Sequence, residues 1–309
     1  MPFLLSLADP NLSRAACNQQ TRTMTMRPYL QLDVFAPARG CGNPLGVVFD
    51  AGDLDPAAMQ SIAAWLNLSE TTFVLPPTRA GADYRLRIFT PRQELPFAGH
   101  PSVGTAHAVL ERALVTPRQG CLVQECAAGL LPLRVEGDGS QRRIHVRAPR
   151  GVERAADGSA VLASLRGAKR GSLRAALVDN GPKWWCVELE DEATVRTLAP
   201  DLDAMAKATI ATQSVGVAVF ARCSGQTHAL VVRAFVPADG IPEDPVTGSA
   251  NAAIAAWLHT NAALPARTFT SSQGREVGRD GIVEITVDAE GEAWIGGQTQ
   301  TVIDGALTW

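Results

Sequence analysis

This sequence of 309 residues has little that points to a large charged partner. Charged residues make up only 19% of it and nearly cancel, to a net charge of −3. It therefore lacks both the basic excess of a nucleic-acid binder and the like-charge block of a solvated tail. No apolar run reaches the length of a membrane span. Cysteine is sparse: Cys17, Cys41, Cys121, Cys126, Cys186 and Cys223 form no C-x-x-C, and Cys121 to Cys126 is too loosely spaced for a usual zinc knuckle. They read as reduced thiols of a cytoplasmic protein, most of them small buried hydrophobes. The histidines are scattered with no H-E-x-x-H, and the G-x-S-x-G of a nucleophile elbow is missing. What remains is ordinary globular composition, long enough for two domains with cores of their own.

Residues 1–26 differ from the rest. They have no basic start, and the apolar stretch Phe3 to Ala8 is short, so a signal peptide is not expected. The segment reads as a flexible leader, or as an upstream start ahead of Met24 or Met26.

The chain then alternates strand and helix patterns. Tyr29 to Phe35 and Leu45 to Phe49 read as strands, Asp55-Pro56 opens a helix, and Glu70 heads a strand over Thr71 to Leu75. Tyr84 to Thr90 is another strand, and a helix follows His100-Pro101. Strands are expected near 121–126, 131–136 and 142–146, then a polar, irregular connection. The same order recurs after Asn180-Gly181-Pro182. It ends in Ile241 to Leu258, IPEDPVTGSANAAIAAWL, where Asp244 is expected at an N-cap and Pro245 at the first helical position. Closing strands are expected over 282–287, 292–295 and 299–303.

His100-Pro101-x-x-Gly104-Thr105-Ala106 pairs with Asp244-Pro245-x-x-Gly248-Ser249-Ala250 at one constant offset, and that offset takes Glu70 to Ser214. Arg87 and Arg233 pair at nearly the same offset. A duplicated unit is implied: two lobes, each a mostly antiparallel sheet around a buried helix. The expected division is 27–125 and 126–297, with the strand near 298–309 returning to the first lobe. A pseudo-two-fold axis would bring the two helix N-termini together as an anion site with almost no formal charge.

The blocks NLSETTFVLPP, ADYRLRIFTPRQELPFAGHPSVGTAHAVL, IPEDPVTGSANAAIAAWL and SSQGREVGR…IGGQTQTVIDG resemble the PhzF family of phenazine-biosynthesis-like isomerases, from about Tyr29 to Gly305. The resemblance implies an α+β fold similar to diaminopimelate epimerase. It also implies a homodimer and a reaction that needs no cofactor and no metal. It makes Glu70 the proton shuttle, His100, Asp244 and Ser249 the polar site residues, and Gly99 and Gly248 the backbone positions that hold a substrate carboxylate. Epimerases of the wider superfamily use two cysteines at the helix starts. Here those starts are Gly99-His100 and Gly248-Ser249, which disfavours two-thiol racemisation. Cys41 reads as a loop thiol.

Position alone makes Glu70 a turn acid, Asp244 a cap and Ser249 first-turn packing; Glu243 reads as a solvated neighbour, and Arg87 and Arg233 as salt-bridge partners outside the site. With the resemblance, Glu70 becomes the acid/base of a one-base proton shift within a small carboxylate-bearing substrate, in the first lobe only. The competing expectation is a non-catalytic small-anion-binding protein that kept the same site.

Overall fold

Two helices have almost no polar side, and the sheets wrap around them. In a computed structural model, which describes residues 25–309, they are α2 and α6, placed below in chain order. Both are built from small residues, so strands approach their backbones closely on several sides. At Gly104 in the first of them, an added Cβ would lie 2.5 Å from Leu45 Cδ2 and 2.7 Å from Val34 Cγ2. The expected leader at 1–26 lies almost wholly outside the described residues, as does Cys17.

The first half runs β1 (Met26–Val34), β2 (Asn43–Val48), α1 (Pro56–Leu66), β3 (Glu70–Leu75), β4 (Tyr84–Phe89), β5 (Glu94–Leu95), α2 (Gly99–Glu111), β6 (Cys121–Cys126), β7 (Gly129–Glu136) and β8 (Arg143–Arg147). The second half runs β9 (Val152–Arg154), α3 (Ser159–Ser164), β10 (Ala176–Asp179), β11 (Lys183–Glu188), α4 (Glu192–Thr197), α5 (Leu202–Ala211), β12 (Gly216–Arg222), β13 (Leu230–Val236), β14 (Ile241–Asp244), α6 (Gly248–Thr260), β15 (Thr268–Gln273), β16 (Gly281–Val287), β17 (Ala293–Gly297) and β18 (Thr299–Thr308).

Pairing is mostly antiparallel, with parallel steps where a helix makes the crossover. β2 and β3 are parallel across α1, and β4 and β6 across α2. β11 and β12 repeat this across α4 and α5, and β13 and β15 across α6. β8 pairs antiparallel with β17 and joins the two sheets. The second half returns its last strand to the first, β18 pairing along the whole of β1, while β9 pairs with β10 inside the second half. A division at 125/126 would cut the β6–β7 hairpin, where Cys126 pairs with Gly129, and pairing runs on from there through β8.

The main core surrounds α2 and α6. A second cluster lies under α3, α4 and α5, and a third under α1. No helix among the described residues is long and apolar enough to cross a membrane.

Candidate active site

Glu70 reaches its place through the end of α1. Asp55 caps that helix, accepting from the Ala58 N–H at 2.7 Å, and Pro56 takes its first turn. Asn67 ends it in the left-handed region at φ 51°. The short turn that follows puts Glu70 first in β3, opposite Leu45 of β2.

α2 and α6 start without side-chain caps, at Ala98 and Thr247. α1, α4 and α5 are each capped by an aspartate. In α2 the first intrahelical bond is Ser102 N–H to Ala98 O, and in α6 it is Asn251 N–H to Thr247 O. The N–H groups before these are free of the helix and carry its partial positive charge. The two starts meet: a Cβ built on Gly99 would lie 3.8 Å from Gly248 Cα and 4.0 Å from Ser249 N. One on Gly248 would lie 3.3 Å from the Phe35 ring and 3.6 Å from His100 N.

Around this junction stand the polar side chains. His100 Nε2 and Glu70 Oε2 are 3.2 Å apart, both buried, but not aligned as a hydrogen bond, and neither atom has another partner. Asp244 Oδ1 accepts from Asn43 Nδ2 at 3.2 Å, and its Oδ2 accepts from Thr247 Oγ1 at 2.5 Å. Asn43 also donates to Val246 O at 2.9 Å and accepts from Ser69 Oγ at 3.2 Å. It thus ties the turn before Glu70 to the loop before α6. Gln273 donates to Asp244 O at 3.1 Å and to Thr247 Oγ1 at 2.9 Å, and accepts from Thr247 N and Asn251 Nδ2. Ser249 Oγ accepts from Trp184 Nε1 at 3.1 Å, so its own proton can donate elsewhere. Asn180 holds Ser249 O at 2.9 Å, and its own Oδ1 is buried without a partner.

Burial sets the protonation of the site. It pushes the Glu70 carboxyl up to about 8, with the like charge of Asp244 adding to the effect. It pushes Asp244 up to about 6 against the pull of the Thr247 and Asn43 hydrogen bonds. It takes His100 down to about 3, so the imidazole is neutral. The charge on Asp244 thus bears on the ionisation of Glu70.

These shifts carry stability effects of opposite sign. Glu70 has a folded value above its ordinary 4.5, so its contribution is full below 4.5 and is lost as pH rises towards about 8. His100 has a folded value below its ordinary 6.5, so its contribution is full above 6.5 and is lost as pH falls towards about 3. Glu70→Gln is accordingly expected to raise the Tm, little at pH 4.5 and progressively more towards pH 8. A Tm difference that stays flat across that range would remove the buried-carboxyl account.

The repeat needs a new register. β3 and β4 align Phe73 with Arg87, and β12 and β13 align Val219 with Arg233. This makes Gly216, not Ser214, the counterpart of Glu70. Leu95 faces Ile88 as Asp244 faces Ala234. Glu94-Leu95-Pro96-x-x-Gly99-His100 therefore matches Glu243-Asp244-Pro245-x-x-Gly248-Ser249. Asp244 answers Leu95, and Ser249 answers His100 rather than Thr105. Asp244 ends β14 instead of capping α6, and Pro245 precedes the helix. The reason is the β13–β14 pairing, which keeps the chain extended through Asp244, with Thr247 as the residue that enters the helix. Each lobe thus contributes one carboxyl to the junction.

Glu243 is not solvated. Its side chain is 7% exposed and takes a bidentate pair from Arg233 at 3.0 and 2.7 Å. Arg87 makes the same pair with Glu94, at 2.7 and 2.6 Å, but nearer the surface. The residue pattern does not assign Asn43, Thr247, Gln273, Trp184 or Asn180 to the site, although Asn43-Pro44 and Asn180-Gly181-Pro182 match as turns ahead of corresponding strands. Gln273 lies within the SSQG block, but its partners are far away in the chain.

The family model for PhzC-PhzF, phenazine biosynthesis-like protein, matches residues 32–305. The chain belongs to this family. It is 35% identical over 295 residues to antisense-enhancing sequence 1 of Schizosaccharomyces pombe, covering 91% of this chain and 99% of that protein. It is also 35% identical over 269 residues to the trans-2,3-dihydro-3-hydroxyanthranilate isomerase of Pseudomonas aeruginosa, covering 86% and 92%. Among solved structures, a PhzF-family protein of Bacillus anthracis superposes with a TM-score of 0.80 at 25% identity, covering 92% of this chain and 99% of that one. A hydroxyproline epimerase of Agrobacterium vitis, with a TM-score of 0.65 at 15% identity over 92% of each chain, shares the fold. This PhzF-family chain is an isomerase with the two-lobed, epimerase-like architecture expected from its sequence.

Proposed function

We propose that this chain is a cofactor-independent isomerase that moves a proton within a small carboxylate-bearing substrate, with Glu70 as the acid/base. The carrying observation is a carboxyl whose buried Oε2 has no hydrogen-bond partner, beside His100 at the junction of two uncapped helix N-termini. The N–H groups at Gly99 and Gly248 suit a substrate carboxylate, because the two uncapped helix starts meet there, with a Cβ on Gly99 lying 3.8 Å from Gly248 Cα. Ionised Glu70 takes a proton from the carbon next to the electron-withdrawing group, and the C–H electron pair enters the conjugated system. The same carboxyl returns the proton to a carbon further along, and the double bond moves. Negative charge that develops on the substrate is met by the helix dipoles and by donors already in place. His100, neutral and beside Glu70, orients the carboxyl and donates to a substrate oxygen. Asp244 accepts from a substrate amine or hydroxyl, and Ser249 donates its free proton.

The primary test is proton exchange in D2O, with trans-2,3-dihydro-3-hydroxyanthranilate and a panel of small unsaturated or amino-substituted carboxylates. Deuterium at the receiving carbon of the product is the expected result. Binding across the panel with no exchange anywhere would sink the reading.

A pH profile tests the electrostatics. The base must be ionised, so kcat/KM is expected to fall on the acid side, with apparent values between the 6 and 8 of the two carboxyls. In Asp244→Asn the like charge is gone, and the acid limb should move to lower pH whatever happens to its height. A limb that stays in place would show that Asp244 does not act on Glu70.

A further inference from the structure

The turn between β12 and β13 gathers a second group of reactive side chains. Cys223 follows β12 and His228 precedes β13, and the Cys223 N–H donates to Ala229 O at 2.8 Å, closing the turn. Glu192, in the first turn of α4, reaches the same place. One ligand-type atom from each of Glu192, Cys223 and His228 lies within 4.8 Å of the other two. Cys223 Sγ is 3.5 Å from Glu192 Oε2, and His228 Nε2 is 3.4 Å from Glu192 Oε1.

His228 needs an account. Its side chain is 3% exposed, and neither ring nitrogen has a hydrogen-bond partner. A buried imidazole with both nitrogens unsatisfied is costly and rare. The spacing of the three groups suggests what completes it. Tetrahedral zinc with bonds of about 2.0 Å to N and O and about 2.3 Å to S has edges of about 3.3 Å between N and O and about 3.5 Å between S and O. The Glu192 carboxylate spans the other two groups with its two oxygens, Oε1 towards His228 at 3.4 Å and Oε2 towards Cys223 at 3.5 Å, so a turn of its side chain alone brings one oxygen to the edge length of both. A thiolate, an imidazole and a carboxylate form a borderline-soft donor set, which suits zinc and its d-block neighbours better than magnesium or calcium.

The surrounding charge agrees. Arg196 pairs with Glu192 at 3.2 Å and with Glu276 at 3.2 Å, and Arg233 pairs with Glu243. Arg275 also acts on Glu192 and Glu276 and is itself paired with Asp280, so four carboxylates face three guanidiniums and one negative charge is left over. The Arg196 contact is to Glu192 Oε1, which leaves Oε2 beside the thiol. Cys223 and His228 also line a cavity of about 800 Å³ between the lobes' outer strands, bounded further by Arg134, Arg143, His145 and Glu284. A fourth ligand can enter from there. The place is separate from the reaction centre. Gly216 is the counterpart of Glu70 at the head of β12, and Cys223 lies past its far end, on the order of 20 Å along the strand.

The geometry points to a zinc-class divalent metal site on Glu192, Cys223 and His228, with a fourth position open to the cavity. Binding forms the metal–S, metal–N and metal–O bonds and releases the Cys223 proton to solvent. It would staple the β12–β13 turn to α4, whose end accepts from Arg233 at Val195 O and Leu198 O.

The test is titration of the reduced, chelator-treated full chain with Co(II). A thiolate-to-cobalt charge-transfer band that saturates at one equivalent, with d–d bands of tetrahedral intensity, is expected, and zinc should bleach both. Cys223→Ser should lose the charge-transfer band, and His228→Gln should weaken binding at least about tenfold. Cys121→Ser, which removes an exposed thiol, should change neither. In the unsubstituted chain, zinc should protect Cys223 from iodoacetamide, as read on its peptide by mass spectrometry, so the result does not depend on a variant's folding. No charge-transfer band at one equivalent, parent-like binding by His228→Gln, or unchanged alkylation of Cys223 in zinc would each overturn the site.

Discussion

Glu70→Gln is expected to lower proton exchange by about 10²–10⁴-fold or more while substrate still binds. Glutamine keeps the size of the side chain and can sit beside His100 as the carboxyl does, so the helix junction should be undisturbed. It cannot take a proton from carbon. The substitution also removes a carboxyl that burial makes hard to ionise, so the variant should be at least as stable as the parent near neutral pH. The combination is diagnostic. A folding defect would lower activity and Tm together, whereas loss of the acid/base lowers activity and raises Tm. Calorimetry with the substrate carboxylate should show an affinity within a few-fold of the parent, because the helix N–H groups are untouched. If Glu70→Gln exchanges protons at the parent rate, the base is another group, and Asp244 is the other carboxyl at the junction.

How much of this could be read beforehand divides along physical lines. The alternating strands, the small-residue helices and the existence of a duplication are local patterns, and each survives in the structure. The register of the duplication is not local. HPxxGTA and DPxxGSA look alike because both surround a proline near a helix start, but the proline lies inside α2 and ahead of α6. Strand pairing and the Arg87–Glu94 and Arg233–Glu243 pairs set the true register, and no single window contains them. The new register also removes one argument for keeping all proton handling in the first lobe, since Asp244 now stands where the first lobe has Leu95. The supporting residues were invisible for a similar reason. Asn43 and Asp244 meet across the lobes, and Trp184 finds Ser249 only after β11 packs on α6. Glu243 looked solvated because it sits among polar and turn-forming residues, and its partner lies on the neighbouring strand.

Arg233→Ala is expected to cost about 3–5 kcal/mol, the loss typical when one member of a buried ion pair is removed. Its guanidinium is 8% exposed and pairs with a glutamate that is 7% exposed. The same group donates to Val195 O and Leu198 O, so four acceptor atoms lose their donor and Glu243 stays buried as an unpaired charge. The related pair in the first lobe is the internal control. Arg87 and Glu94 have equally good bidentate geometry, but Glu94 is 37% exposed, and water can replace the lost partner. Arg87→Ala should therefore cost no more than about 1 kcal/mol. The difference reaches the chemistry because Glu243 precedes Asp244, and freeing the first loosens the second against Asn43 and Gln273. Urea unfolding of the two variants, with the apparent affinity for the substrate carboxylate measured alongside, separates the cases. A conservative repair sharpens the reading: Arg233→Met combined with Glu243→Leu removes both charges and should recover most of the stability without restoring Asp244's position by charge. Equal costs for Arg233→Ala and Arg87→Ala would mean that the buried pair does not hold the loop ahead of α6.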